Sequence, residues 1–192
     1  MKKAVFLDKD GTLVIDVPYN VDPDKIVLSD HCLKGLKRLQ ENGYLLILIT
    51  NQSGIARGYF KEEDLIGVEQ KIRDMLGHEE IALDGFYYCP HHPEGIVTSL
   101  AINCDCRKPE AGMLLKAAKE MGIDLNSSWM IGDILNDIEA GNRAGCKSIL
   151  IDNGNETEWL LNEKRQPLIK VKDIDEAAIY ILEKYGEQLA GM

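Results

Sequence analysis

The sequence predicts an α/β fold, a Rossmann-like, doubly wound and mostly parallel sheet with helices on both faces. Two observations carry this expectation. Several short apolar runs end abruptly in a polar or acidic residue and lack polar alternation, as strands buried on both faces do. Helical patterns lie between those runs, the arrangement of right-handed βαβ units.

In chain order, the expected strands are Ala4 to Leu7 ending at Asp8, Leu45 to Ile49 ending at Thr50-Asn51, and Trp129 to Ile131 ending at Gly132-Asp133. Ser148 to Ile151, ending at Asp152, repeats the form, and Leu168 to Val171 is a further candidate. Leu33, Leu36 and Leu39 share one helical face, with Gly43 as the stop. Leu114, Leu115, Ala118 and Met121 form a second helix between Pro109 and Gly122. A third stripe comprises Ile174, Ala177, Ala178, Ile181, Leu182 and Tyr185. Asp152-Asn153-Gly154 reads as a turn after a strand, and Trp129, Trp159, Tyr87 and Tyr88 as packing residues.

Composition sets the limits. A chain of 192 residues suits one domain, residues 1–192, and neither a repeat nor a linker interrupts it. The apolar runs are too short to span a membrane, and the N-terminal stretch has no signal-peptide core, so a cytoplasmic location is expected. Net charge is −10 and no Lys/Arg run resembles a nucleic-acid footprint. The expected partner is therefore a small molecule rather than nucleic acid or membrane, and the expected state is a monomer.

In open parallel sheets, ligands bind beyond the carboxyl ends of the strands, where Asp8, Thr50 and Asp133 all fall. Asp8-Lys9-Asp10-Gly11-Thr12 puts two carboxylates at i and i+2, and Gly11 permits an immediate turn that faces both to the crevice. One carboxylate can attack phosphorus to give an aspartyl-phosphate, and the other can serve as acid and then base. Phosphoryl transfer also needs charge neutralisation, and the hard oxygens of Asp8 and Asp133 suit Mg²⁺. Asp137, four residues past Asp133, can hold the metal's water shell or orient a lysine.

A second ligand set lies in the loop Cys89-Pro90-His91-His92-Pro93 and in Cys104-Asp105-Cys106, just before Arg107-Lys108. Cys89, His91, Cys104 and Cys106 make a Cys₃His group suited to a structural Zn²⁺. His92 is a competing ligand, disfavoured by Pro93. A loop with so little apolar content cannot order itself by burial, and metal binding supplies that free energy.

These motifs resemble the haloacid dehalogenase-like (HAD) phosphatase superfamily: Asp8 to Thr12, Thr50, Lys108, and Gly132-Asp133 with Asp137 stand in the order of its four motifs. The resemblance implies Asp8 as nucleophile and Asp10 as general acid/base. It implies Mg²⁺ held by Asp8, the Asp10 backbone carbonyl and Asp133, with Thr50 and Lys108 stabilising the phosphoryl group. No long insertion interrupts the motifs, so a minimal cap is expected.

With Cys89 to Pro93, Cys104 to Pro109 and Thr50 to Gly58, the chain is similar to the D-glycero-D-manno-heptose 1,7-bisphosphate 7-phosphatase family, and next to histidinol-phosphate phosphatases. That likeness implies a phosphorylated sugar as substrate. It implies substrate contacts from Asp16, Val17, Pro18 and Tyr19, from Thr50, Asn51, Gln52 and Ser53, and from Arg107 and Lys108. Arg57 is either a solvated loop charge or a contact to a second phosphate. The chain departs from the family pattern at Ile134, where a lysine is common, and in the apolar Val17-Pro18.

Overall fold

A computed structural model describes residues 1–184. Tyr185, the last position of the C-terminal stripe, lies outside them. Six strands run as one parallel sheet: β1 (Lys3–Leu7), β2 (Tyr44–Asn51), β3 (Gly85–Cys89), β4 (Trp129–Gly132), β5 (Lys147–Ile151) and β6 (Ile169–Val171). Their order across the sheet is β3-β2-β1-β4-β5-β6. β1 is therefore where the winding reverses: β2 lies on one side of it and β4 on the other, with Leu7 opposite Leu48 and Ile131. A crevice at such a switch point is open to a ligand.

Strand pleating sends alternate side chains to two separate cores. On one face, Val5, Leu7, Leu46 and Leu48 pack with α1 (Cys32–Glu41), α2 (Asp64–Gly77) and α5 (Ile174–Ile179) through Leu36, Leu39, Val68, Ile72 and Ala177. On the other, Ala4, Phe6, Ile47 and Ile49 pack with α3 (Gly112–Met121) and α4 (Leu135–Ala144) through Met113, Leu114, Ala117 and Ala140.

The expected helices form, with differences of detail. Leu115 is half-exposed at 50 %, because the buried face of this helix runs through Met113, Leu114, Ala117 and Ala118 and a further 100° step carries Leu115 past its edge. The C-terminal stripe is α-helical only to Ile179 and continues as a wider π turn over Tyr180–Lys184. Strand β3 and helix α2 have no counterpart among the elements read from the sequence. No helix of the described residues is long and apolar enough to cross a membrane.

Candidate active site and cysteine cluster

Because all strands are parallel, Asp8, Thr50-Asn51, Cys89 and Asp133 emerge on one edge of the sheet. Asp8 follows β1, and its backbone N–H donates to Ile131 O at 3.0 Å, tying the turn to β4. The chain then reverses: Gly11 has φ +82 and its N–H donates to Val14 O at 2.8 Å. A Cβ on Gly11 would lie 2.1 Å from Asp133 Oδ2, so only glycine lets the two strand ends approach.

Lys108 is the cation at the centre. Its ammonium pairs with Asp8, lies 2.6 Å from Asp137 Oδ1 and donates to Ile49 O at 2.9 Å. A two-way clasp fixes its backbone. Asn51 Nδ2 donates to Lys108 O, and Lys108 N donates to Asn51 Oδ1, both at 3.0 Å. Asn51 thus holds the lysine from the end of β2, although it is 57 residues away in sequence.

Burial of so many charges shifts their titration. Asp133 is pushed up to about 7, first by burial and then by the neighbouring Asp8 and Asp137. Asp137 rises to about 6, again chiefly by burial, with Lys108 pulling against it. Burial would lower Lys108, but Asp137 and Asp8 outweigh it and hold its proton more tightly than usual. Asp10 is also raised, by burial against the pull of Lys9, with which it pairs. Its Oδ2 lies 3.4 Å from Gln52 Nε2, which in turn donates to Thr50 Oγ1 at 2.8 Å.

A cleft of about 290 Å³ opens here, lined by Asp8, Asp10, Asp16, Thr50, Asn51 and Lys108 with Asp133, Ile134 and Asp137. Asp8, Asp133 and Asp137 each offer an oxygen within 4.8 Å of the others. Hard, buried carboxylate oxygens gathered this closely form a donor set that fits a divalent cation such as Mg²⁺.

Val17, Pro18 and Tyr19 do not line this cleft. They are exposed, and Tyr19 stands edge-on to Tyr59 at 4.6 Å. Ser53 and Arg107 also lie outside the lining. Arg107 Nη1 is 3.5 Å from His91 O, and Arg57 Nη2 is 2.9 Å from His92 Nε2.

Asn155 joins the cleft lining without having been singled out from the sequence: its Nδ2 donates to Asp133 Oδ2 at 2.7 Å. Its signal was position alone, four residues beyond the end of β5, the strand next to β4.

Beside the cleft, Cys89, His91, Cys104 and Cys106 gather in a four-ligand group. Cys106 Sγ lies 3.2 Å from both Cys89 Sγ and Cys104 Sγ, and 3.3 Å from His91 Nδ1. A tetrahedral zinc with bonds of about 2.3 Å to sulfur has ligand–ligand edges of about 3.8 Å, so these atoms stand close to such a shell. Burial pushes the Cys89 thiol up, and its neighbour Cys106 adds to the effect. His92 is turned away from the group, towards Arg57 and the Glu94 N–H. The loop abuts α3 so closely that a Cβ on Gly112 would lie 2.4 Å from Asp105 O.

The HAD-hydrolase-like family profile matches residues 105–177. The D-glycero-beta-D-manno-heptose-1,7-bisphosphate 7-phosphatase of Pasteurella multocida is 48% identical over 155 residues, covering 80% of this chain and 84% of that one. The enzyme of the same name from Haemophilus ducreyi is 44% identical over 169 residues, 88% of this chain and 92% of that one. This chain belongs to the heptose-1,7-bisphosphate 7-phosphatase family of HAD-like phosphatases. A member of solved structure, the D,D-heptose 1,7-bisphosphate phosphatase of B. bronchiseptica complexed with magnesium and phosphate, superposes with a TM-score of 0.82 at 30% identity. The match covers 95% of this chain and 99% of that one. The family's HAD-like fold is the one described above.

Proposed function

We propose that this chain hydrolyses the 7-phosphate of D-glycero-D-manno-heptose 1,7-bisphosphate, acting as one cytoplasmic, monomeric domain. The observation that carries the chemistry is Lys108 held between Asp8 and Asp137 at the end of the sheet. The substrate rests on the relatives named for it, 48% and 44% identical. Free cysteines among the described residues fit a reducing compartment.

In the proposed reaction, a carboxylate oxygen of Asp8 attacks the phosphorus of the 7-phosphate and the bond from phosphorus to the sugar oxygen breaks. Asp10 donates its proton to the departing oxygen, a role that its raised pKa favours. Asp10 then takes a proton from water as that water attacks the phosphorus, and the bond to Asp8 breaks, releasing phosphate. Thr50 and Lys108 hold the phosphoryl oxygens through both steps. Mg²⁺, when held by Asp8, the Asp10 backbone carbonyl and Asp133, supplies charge neutralisation. The carboxylate of Asp10 is engaged by Lys9 and Gln52, which leaves its carbonyl for that contact. Zn²⁺ on Cys89, His91, Cys104 and Cys106 is structural and fixes the approach of Arg107 and Lys108.

Arg57 and Arg107 support a second phosphate. Burial lowers the pKa of Arg107, and the charge of nearby Arg57 lowers it further. Arg57 Nε is buried without a hydrogen-bond partner. Two crowded guanidiniums favour an anion and disfavour the amine of histidinol phosphate. The deciding experiment is steady-state turnover on both compounds. kcat/KM for the heptose bisphosphate should exceed that for histidinol phosphate by at least ~10²-fold, about 2.7 kcal/mol of discrimination. Equal rates, or a preference for histidinol phosphate, would overturn the substrate while leaving the phosphatase chemistry standing.

A further inference from the structure

The segment after β5 makes three contacts with the site that the reaction above does not use, and one within itself. Asn153 Nδ2 donates to Gly11 O at 2.7 Å. Asn155 N donates to Asn153 Oδ1 at 3.1 Å, and Asn155 Nδ2 donates to Asp133 Oδ2 at 2.7 Å. Glu156 Oε2 accepts from Leu135 N at 2.6 Å, in the first turn of α4. The segment is thereby stitched to the turn that follows β1, to Asp133 itself and to the helix start just past it.

Asp133 lies between two donors. Thr12 Oγ1 is 3.3 Å from Oδ1, and Asn155 supplies the shorter bond to Oδ2. A carboxylate oxygen that accepts one such bond keeps a lone pair for a cation, but its plane is no longer free to rotate. Gly11 has no side chain at this point, and a Cβ there would lie 2.5 Å from Asn155 Nδ2, so the contact sits directly on the first-motif turn.

We infer that Asn155 is a positioning residue for the divalent cation, holding the Asp133 carboxylate in the orientation in which it faces Asp8. This rests on the Mg²⁺ reading of the carboxylate site. It goes beyond that reading by adding a group that touches neither the cation nor the substrate. Partners of metal-bound carboxylates fix ligand orientation, and their loss lowers metal affinity by roughly 10- to 100-fold.

The test is Mg²⁺ alone, titrated into the full-length chain by calorimetry and followed in parallel as a Mg²⁺-dependent rise in melting temperature. Asn155 is exposed, so Asn155→Ala should fold and melt like the wild type without Mg²⁺. Its Mg²⁺ affinity should fall by ~10-fold or more, while KM for an aryl phosphate at saturating Mg²⁺ moves by less than ~3-fold. Asn153→Ala loosens the same segment without touching Asp133 and should weaken Mg²⁺ less than Asn155→Ala does. Wild-type Mg²⁺ affinity in Asn155→Ala, or equal losses in the two variants, would overturn the inference and leave the Mg²⁺ site intact. A wild-type protein that takes up no Mg²⁺ would overturn both.

Discussion

The ammonium of Lys108 lies 2.6 Å from Asp137 Oδ1, with the lysine side chain 2% and the aspartate side chain 0% exposed. Asp137 is thus occupied by the lysine, and its other oxygen accepts from Ile134 N at 3.3 Å. Removing one member of a buried pair leaves an uncompensated charge. Lys108→Met should therefore lower the stability of the Mg²⁺-free protein by about 3 kcal/mol and reduce kcat by at least ~10²-fold. Urea denaturation and turnover at saturating Mg²⁺ check the two separately. A variant of wild-type kcat would remove Lys108 from the reaction.

The nucleophile is tested next. Asp8→Asn should abolish turnover and keep the circular dichroism of the wild type, because an amide cannot form the acyl-phosphate. Asp10→Asn should retain binding and slow both half-reactions by on the order of 10²–10⁴. Near-normal kcat in Asp8→Asn would exclude the aspartyl-phosphate route.

Elemental analysis should find one tightly held zinc per chain, while activity follows added Mg²⁺. Cys104→Ser or Cys106→Ser should lose that zinc and lower the melting temperature, since metal binding stabilises the loop that carries Arg107 and Lys108. Gly112→Ala should show a milder version, as its Cβ would press on Asp105 O. Purified protein without zinc and of undiminished stability would defeat the assignment.

Alkaline pH should destabilise the fold through Cys146. Burial pushes this thiol from 9.0 up to about 12, so the folded state binds its proton more tightly than the unfolded chain. A raised folded pKa contributes stability that is fully present below about 9 and lost as pH rises towards about 12. The loss should approach roughly 1 kcal/mol per pH unit in that window. Denaturation midpoints measured from pH 8 to 11 should fall less steeply in Cys146→Ala. Equal slopes would mean that another group governs the alkaline limb.

The fold was legible where a strand is buried on both faces. Ala4 to Leu7 and Leu45 to Ile49 are continuous apolar runs because two helix layers cover them. β3 escaped because it is an edge strand whose Phe86, Tyr87 and Tyr88 are only partly buried, with Tyr87 and Tyr88 hydroxyls donating to Glu120 and Glu62. In α2, Leu65, Val68, Ile72 and Leu76 do keep helical spacing, but Ile66 is 70% exposed and blurs the stripe.

By itself, the sequence determined which side chains stand at the ends of buried strands, since an acid directly after an apolar run can only lie at the sheet's edge. It likewise brought Cys104, Cys106, Arg107 and Lys108 together, because they are neighbours in the chain. Only the tertiary structure decided which carboxylates share Lys108, that Asn51 clasps its backbone, and that Asn155 reaches Asp133 from 22 residues away. Tertiary structure also set Val17, Pro18 and Tyr19 outside the cleft. Hydrogen bonds and ion pairs act over about 3 Å, and partners at that range depend on strand order and turn geometry rather than on separation along the chain. In this sheet, β1 lies between β2 and β4, and that arrangement brings the three strand ends to one point.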